Sequence, residues 1–333
     1  MPFLPVSAED TDGVTALVEL LETARVVDDP QERPVTAEVY GPYLRFGYDL
    51  HPPEHLLFVS EGESHPVGML ALELPVRDNR HLVWSELMVT PARRRQGLGS
   101  QLMAEVVRAT RAAGRTTIWV RGPEDAPSTA GFLEHHGFHY ASHDARRRQL
   151  LAPLDRDEID RLRRSAEVAA ADYELERLVP PQSDELLVQI ARVAEAINDA
   201  PMGELTFEPE VIDGARLRDI EQARVGRAEL QYRVVARHRR SGELAGHTVM
   251  TVRPSQPRWG HQGDTAVARQ HRGHRLGLLL KVDMLCWLAD VEPQLEEIET
   301  WNQADNDPMI RVNEVLGYRL DRVFAMYERT LDA

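Results

Sequence analysis

Hydrophobic positions along the chain alternate between a period of two and a period near 3.6, and the alternation runs through the same order twice. Residues 2–6 read as a short strand. Ser7, with Asp10 three residues on, then offers a cap for an amphipathic helix to about Val27, in which Val14, Leu17, Val18 and Leu21 keep the helical period. Residues 30–54, rich in Pro, Gly and Tyr, read as irregular. Strands are predicted over 55–60, 67–74 and 81–89, separated by the turn-like segments 61–66 and 77–80. A helix over 98–113, a strand over 116–120, a helix ending at Gly137 and strands through Leu151 complete the first pass. Residues 155–171 mix Asp, Glu and Arg with Ile159, Leu162 and Ala169 and read as an exposed connecting helix. The order then restarts: a strand over 174–179, a Ser183-capped helix over 184–198, an irregular segment, and strands over 231–236, 244–252 and 261–268. A helix over 276–289, a strand over 298–302, a helix ending at Gly317 and closing strands finish it.

Spacing tests the repeat. Val89, Gly97 and Gly99 follow Glu86 by 3, 11 and 13 residues, and Val267, Arg275 and Gly277 follow Asp264 by the same intervals. A Gly-aromatic pair stands 15 residues after each later strand's end, from Gly122 to Gly137-Phe138 and from Asn302 to Gly317-Tyr318. The two copies lie 178 residues apart at the carboxylates and 180 at the second pair of glycines. The expected fold is therefore α+β, with an N-terminal domain over 1–153, a connecting helix over 154–172 and a C-terminal domain over 173–333.

Composition narrows the chemistry. The chain has 333 residues, 42% hydrophobic and 28% charged, with a formal net charge of −15. That sign disfavours nucleic acid and favours cationic partners. Lys281 is the one lysine, and its Leu-Leu-Leu-Lys-Val-Asp context matches neither a phosphate-binding loop, nor a kinase strand, nor a Schiff-base enzyme. The lone Cys286, among Met284, Leu285, Trp287 and Leu288, reads as a packing residue. No stretch reaches the length of a membrane span and the N-terminus lacks a basic-then-apolar leader pattern, so a cytoplasmic protein without membrane partners is expected. His135, His136, His139 and His143 straddle the end of a helix and do not share one face, so no metal site is expected there.

The segment Val89 to Ser100 sets a basic, glycine-containing turn between a strand and a helix N-terminus. Backbone N–H groups there, with the helix dipole, form an anion site suited to a diphosphate. A dinucleotide-binding fold is excluded because the third glycine is absent and the strand is the fourth, not the first. The strand, the Arg-x-x-Gly-x-Gly turn from Arg94 to Gly99 and the Gly-Phe helix ending resemble the GNAT superfamily of acyl-CoA-dependent N-acyltransferases. The resemblance covers nearly the whole chain, twice, in a tandem arrangement similar to that of mycothiol synthases.

The resemblance implies two GNAT-like domains, each a mixed, mainly antiparallel sheet flanked by helices. It implies acetyl-CoA or another acyl-CoA as cosubstrate, bound where the strand before the turn bulges and splays from its neighbour. In the first copy it points to Met88, Val89, Arg94, Arg95, Gln96, Gly97, Leu98, Gly99 and Ser100 as cofactor-binding residues. In the second it points to Ala266, Val267, Arg272, Gly273, His274, Arg275, Leu276 and Gly277, with Asn302 and Asn306 for the pantetheine or the acceptor. Arg275 stands where the first glycine is expected, and it either reaches a phosphate or crowds the loop. Glu86 and Asp264 occupy the matched position of a carboxylate base. The intact glycine turn favours the first copy as catalyst and the asparagines favour the second, and the balance falls to the second, with Asp264 as base or water-orienter and Glu86 as its counterpart. The usual tyrosine acid is replaced by Leu133 and Asn313. Tyr40, Tyr43, Phe46 and Tyr48 fall where the acceptor pocket is walled, or form a packed loop; Met202 to Glu210 is the counterpart segment, in which Glu204 and Glu208 read first as solvated loop acids and second as contacts for a cation; and Trp259 and Trp301 are core or pocket residues. The expected reaction is acetyl transfer to a primary amine of a small, cationic molecule; a non-catalytic acyl-CoA sensor and a peptide N-acetyltransferase are the competing readings.

Overall fold

The computed structural model describes residues 3–62 and 65–332. Pro2 of the expected first strand, and Glu63 and Ser64 of the expected turn, lie outside the described residues. The chain forms two compact units: residues up to Ala141 with Leu205–Glu208 and the residues from Ala325, and Ser142–Glu204 with Pro209–Phe324. Residues 142–153, expected with the first copy, thus fall in the second unit, and the end of the second copy falls in the first.

The first unit contains β1 (Phe3–Val6), α1 (Thr11–Asp28), α2 (Ala37–Phe46), β2 (Glu54–Phe58), β3 (Gly68–Glu73), β4 (Leu82–Val89), α3 (Leu98–Ala112), β5 (Thr117–Pro123) and α4 (Pro127–His135). β6 (His139–Leu150) passes into the second unit, which continues with α5 (Arg156–Ala169), β7 (Tyr173–Leu178), α6 (Asp184–Ala194), α7 (Gly214–Gly226), β8 (Leu230–His238), β9 (Leu244–Val252), β10 (Trp259–Val267), α8 (Leu276–Val291), β11 (Glu297–Gln303) and α9 (Asp307–Val315). The final strand, β12 (Arg319–Thr330), enters the first unit at Ala325. Strand order is β1-β2-β3-β4-β5-β12 in the first unit and β7-β8-β9-β10-β11-β6 in the second. β1 to β4 pair antiparallel in turn, as do β7 to β10 and β11 with β6, whereas β4 with β5 and β10 with β11 are parallel.

Two helices occupy segments expected to be irregular. α2 forms although it contains Gly41 and, in its interior, Pro42; Leu44 is buried against Leu57 and Met69 of the sheet. α7 buries Glu221 and Arg224 together with Leu217, Ile220 and Ala223, so its inward face is not uniformly apolar. α5 is no free linker: Ala166 is buried in the core, with Ile159 and Leu162 packed against it.

Each sheet packs helices on both faces. In the first unit α3 covers a core of Leu70, Val83, Leu102 and Ile118, and α1 with α2 covers Leu57, Met69 and Ala71. In the second, α5 and α8 cover Val234, Met250 and Ile298, and α6 with α7 cover Val235 and Leu244.

The parallel pairs part before they end. β4 and β5 stay in register only from Leu82↔Thr117 to Ser85↔Val120, and β10 and β11 only from Trp259↔Glu297 to Gln262↔Thr300. The expected bulge is present in β10, between Gln262 and Thr265, but β4 runs in unbroken register against β3. The bulge is a one-residue insertion: Leu82 and Trp259 are 177 residues apart, Val89 and Val267 are 178.

Candidate active site

Strand register builds the floor of the first unit's site. His55 pairs with Ala71, and Ala71 with Glu86, so these three side chains cross the face covered by α1 and α2 in one row. Ala71 is small, which leaves room between its neighbours. Glu86 reaches solvent but has protein on most sides; that desolvation raises its pKa above the ordinary carboxylate value, with the Arg121 cation opposing.

Above the row, the Tyr40 hydroxyl lies 3.0 Å from His55 Nε2, and His55 Nδ1 lies 3.1 Å from the Pro53 carbonyl. Burial depresses His55 to about 4, so the ring is neutral at pH 7. A carbonyl only accepts, so Nδ1 carries the proton, Nε2 accepts, and the Tyr40 hydroxyl is the donor. The phenol proton is committed inward, and burial, Glu86 and Tyr43 all push its pKa up. Tyr43 packs edge-on to Tyr40 at 5.8 Å. Trp84, two residues before Glu86 on the same face, meets Trp119 edge-on at 5.8 Å, and Phe207 stacks on Trp119.

Sequence reasoning identified Glu86, Tyr40 and Tyr43 but not His55 or Arg121. Their participation follows from strand pairing, and a polar residue opposite a small one in a predicted strand is the signal that was available. Met202 to Glu210 does not act as one acceptor wall: Leu205–Glu208 belongs to the first unit, where Thr206 Oγ1 donates to Glu328 at 2.6 Å and Glu208 Oε2 accepts from the Asn79 backbone N–H at 3.2 Å.

The two turns share a backbone. Arg95 and Gly97 have φ of +63° and +80°, and Gly273 and Arg275 have φ of +86° and +55°. Each turn thus needs two left-handed residues and has glycine at only one, the opposite one in each copy. Gly97 and Arg275 are the N-caps of α3 and α8 and neither helix has a side-chain cap, so the first-turn N–H groups lack intrahelical partners. A Cβ built on Gly97, Gly273 or Gly277 would meet nothing within 4 Å, so the backbone there borders open space. These are the features a CoA diphosphate requires of the chain.

The arginines divide their work. Arg94 Nε donates to the Val89 carbonyl at 3.0 Å and its guanidinium pairs with Asp28 at 2.5 Å; Arg272 Nε donates to the Val267 carbonyl at 3.1 Å and pairs with Asp199 at 2.5 Å. Both clasp the turn to its strand. Asp199, bound by Arg269 as well as Arg272, is held well below the carboxylate range. Arg95 is exposed, and Arg275 donates to Ser165 Oγ at 2.5 Å.

The remaining expected residues are placed as follows. Met88 and Val89 end β4, while Leu98 and Leu276 are buried core anchors that offer only backbone. Gln96 accepts from Arg93, Ser100 Oγ lies 3.1 Å from His136 Nε2, and Gly99 faces Phe132, 3.2 Å from where its Cβ would stand. Ala266 is buried, Val267 packs against the core, and the His274 ring lies beside Tyr173. Asn306 Oδ1 caps α9 by accepting from the Met309 N–H, whereas Asn302 stands on β11 beyond the point of parting. Asp264 is exposed in the bulge of β10.

Residues 16–138 match the model of the acetyltransferase (GNAT) family. No curated protein sequence matches the chain. Among solved structures, the chain is similar to a tandem GNAT protein from the clavulanic acid biosynthesis pathway, at 28% identity and a TM-score of 0.81, over 99% of this chain and 98% of that one. It also shares its fold with a GCN5-related N-acetyltransferase from Sphaerobacter thermophilus, at 16% identity and a TM-score of 0.72, over 100% and 96% of the two chains. The turn, the parting strands and the duplicated order lie in the segments these matches span, and no helix of the described residues is long and apolar enough to cross a membrane. Residues 16–138 form an acetyltransferase domain of the GNAT family, and the chain as a whole takes the fold of a tandem GNAT protein.

Proposed function

We propose that the chain transfers an acetyl group from acetyl-CoA to a primary amine of a small cationic molecule, and that Glu86 of the first unit is the base. The carrying observation is the position of Glu86, in a row with His55 and Ala71 beneath Tyr40 and Tyr43 and beyond the point where β4 and β5 part. An ammonium in this recess meets a carboxylate and aromatic faces, both of which attract it. The chain's net charge of −15 supports a cationic acceptor by raising its local concentration.

Acetyl-CoA, when bound, supplies the activated acyl group as a thioester. The N-terminus of α3 and the Gly97 backbone hold its diphosphate, and the N-terminus of α8 with Gly273 and Gly277 does so in the second unit, where Asn302 adds a side-chain contact. Glu86, with its pKa raised, takes the proton that the amine must lose before it can attack. Tyr40, its own proton held by His55, offers an oxygen lone pair to the amine. A second reading places the base at Asp264, because the bulge of β10 surrounds that residue and not Glu86.

The test is thiol release from acetyl-CoA with a panel of amines and a peptide panel. Glu86→Gln is expected to lower kcat by about 100-fold or more, with little change in CoA affinity. Asp264→Asn is expected to leave most activity. The reverse result moves the chemistry to the second unit, and turnover with peptides alone rules out the small-amine acceptor.

A further inference from the structure

Lys281, the one lysine in the chain, points into the core of the second unit with 2% of its surface exposed. Its Nζ donates to Asn313 Oδ1 at 2.6 Å and lies 4.6 Å from the centre of the Tyr318 ring. Asn313 Nδ2 donates to Asn302 Oδ1 at 3.4 Å, and Asn302 Nδ2 donates to the Gln303 carbonyl at 2.7 Å. The chain of donors therefore runs from α8 through α9 to β11, where β11 has parted from β10. Asn313 stands at the position of the tyrosine expected in the family.

The direction of this chain is set at its inner end. A lysine ammonium only donates, so Asn313 must turn Oδ1 toward it, Nδ2 is left for Asn302, and Asn302 must turn Oδ1 inward. One Nδ2 hydrogen of Asn302 then goes to Gln303 and the other remains a donor. A neutral amine can also accept, which lifts the constraint and lets both carboxamides reverse. The groups around Nζ do not fix its charge otherwise. On α8, Asp283 is engaged by Arg177 at 2.9 Å and lies 3.8 Å from Arg163; α9 presents the neutral Asn313; and burial keeps the Tyr318 phenol neutral. Burial alone brings Lys281 down to about 7.

We propose that Lys281, acting through Asn313, is a positioning residue for the acyl-CoA site of the second unit: its ammonium form holds the Asn302 carboxamide in the orientation that receives the cosubstrate. The inference rests on the reading that Asn302 and the α8 turn hold acyl-CoA. It makes the affinity of that site depend on a proton that touches neither substrate, and by reciprocity it makes CoA binding raise the proton affinity of Lys281.

Because there is one lysine, [13Cε]lysine labelling of the full chain gives a single resonance that reports Lys281 directly. It is titrated without and with saturating CoA, while backbone amides of residues 272–277 report whether CoA occupies the second unit. The expected result is a midpoint near 7 that moves up by about half a pH unit or more with CoA, equivalent to about threefold or more tighter binding by the ammonium form. Asn302→Ala is expected to abolish that displacement and keep the CoA-free midpoint. Lys281→Met is expected to weaken CoA at the second unit at pH 6 more than at pH 8, approximately the values that flank the midpoint. If CoA perturbs residues 272–277 and the Lys281 midpoint does not move, the inference is overturned. If CoA leaves those amides unperturbed, the reading beneath it fails instead.

Discussion

His55 shows how a single side chain couples the recess to folding. In the folded chain it titrates at about 4, against 6.5 for an ordinary histidine. Below 6.5 the unfolded chain takes up a proton that the folded chain refuses, so the stability His55 contributes is complete above that value and is lost as pH falls toward 4. The loss between pH 7 and pH 5 is ~2 kcal/mol. Denaturant unfolding at the two pH values checks this: His55→Gln is expected to flatten the difference by about that amount. His247, pushed down by burial, Arg233 and Arg224, adds a dependence of the same sign that this variant leaves in place. Tyr40→Phe deletes the oxygen held toward the amine but keeps the ring, so it is expected to raise the KM for the amine about tenfold while the KM for acetyl-CoA stays within about twofold. Equal changes in both would remove Tyr40 from the acceptor's side of the site. At this scale the sequence is only partly readable. Matched spacing marks Glu86 and Asp264, and an aromatic run marks Tyr40 and Tyr43, but a lysine in an apolar helix reads as an anomaly with no motif. Its meaning depends on Asn313, 32 residues away.

The turns are the most legible elements, because glycine at a left-handed position is a chemical requirement visible in the letters. Even so, letters and geometry diverge: Arg275 occupies the same left-handed backbone that Gly97 occupies 178 residues earlier, and the loop absorbs it by placing glycine two residues before. Gly97→Ala is expected to cost ~1 kcal/mol of stability from its positive φ alone, since the new methyl meets no protein atom. The same methyl enters the cradle, so isothermal titration should find weaker CoA binding at the first unit beyond what stability explains. Arg275→Gly, in contrast, relieves a strained residue and is expected to stabilise the second unit by up to ~1 kcal/mol. Elements whose inward faces are polar were not legible. α7 turns Glu221 and Arg224 inward, and no hydrophobic period survives that. The bulge leaves a trace of one residue, seen only after strand pairing shows that 177 becomes 178.

At the scale of the molecule, two copies are plain in the sequence, but their boundaries in space are not those of the repeat. Ala325, Tyr327 and Leu331 are buried in the first unit's core, and Glu328 accepts from the Trp119 indole N–H at 2.7 Å and from the Thr206 backbone at 2.8 Å. Asp144–Leu150, from the end of the first copy, pairs with β11 in the second unit. Nothing in a strand's own pattern says which of two like sheets it joins, which is why spacing could not show it. A fragment of residues 1–153 therefore lacks the strand beside β5 and is expected to show little cooperative unfolding by circular dichroism. A fragment in which residues 1–141 are followed by a flexible linker and residues 319–332 is expected to recover it.

That late strand also bears on synthesis. A ribosome delivers β1 to α4 long before residues 325–330, so the nascent first unit waits with one edge of β5 unpaired while nearly two hundred further residues are made. Its sheet closes only once Thr330 has cleared the exit tunnel. Folding of the N-terminal half thus waits on a strand made nearly two hundred residues later, and losing that strand would disable the part of the molecule that was translated first.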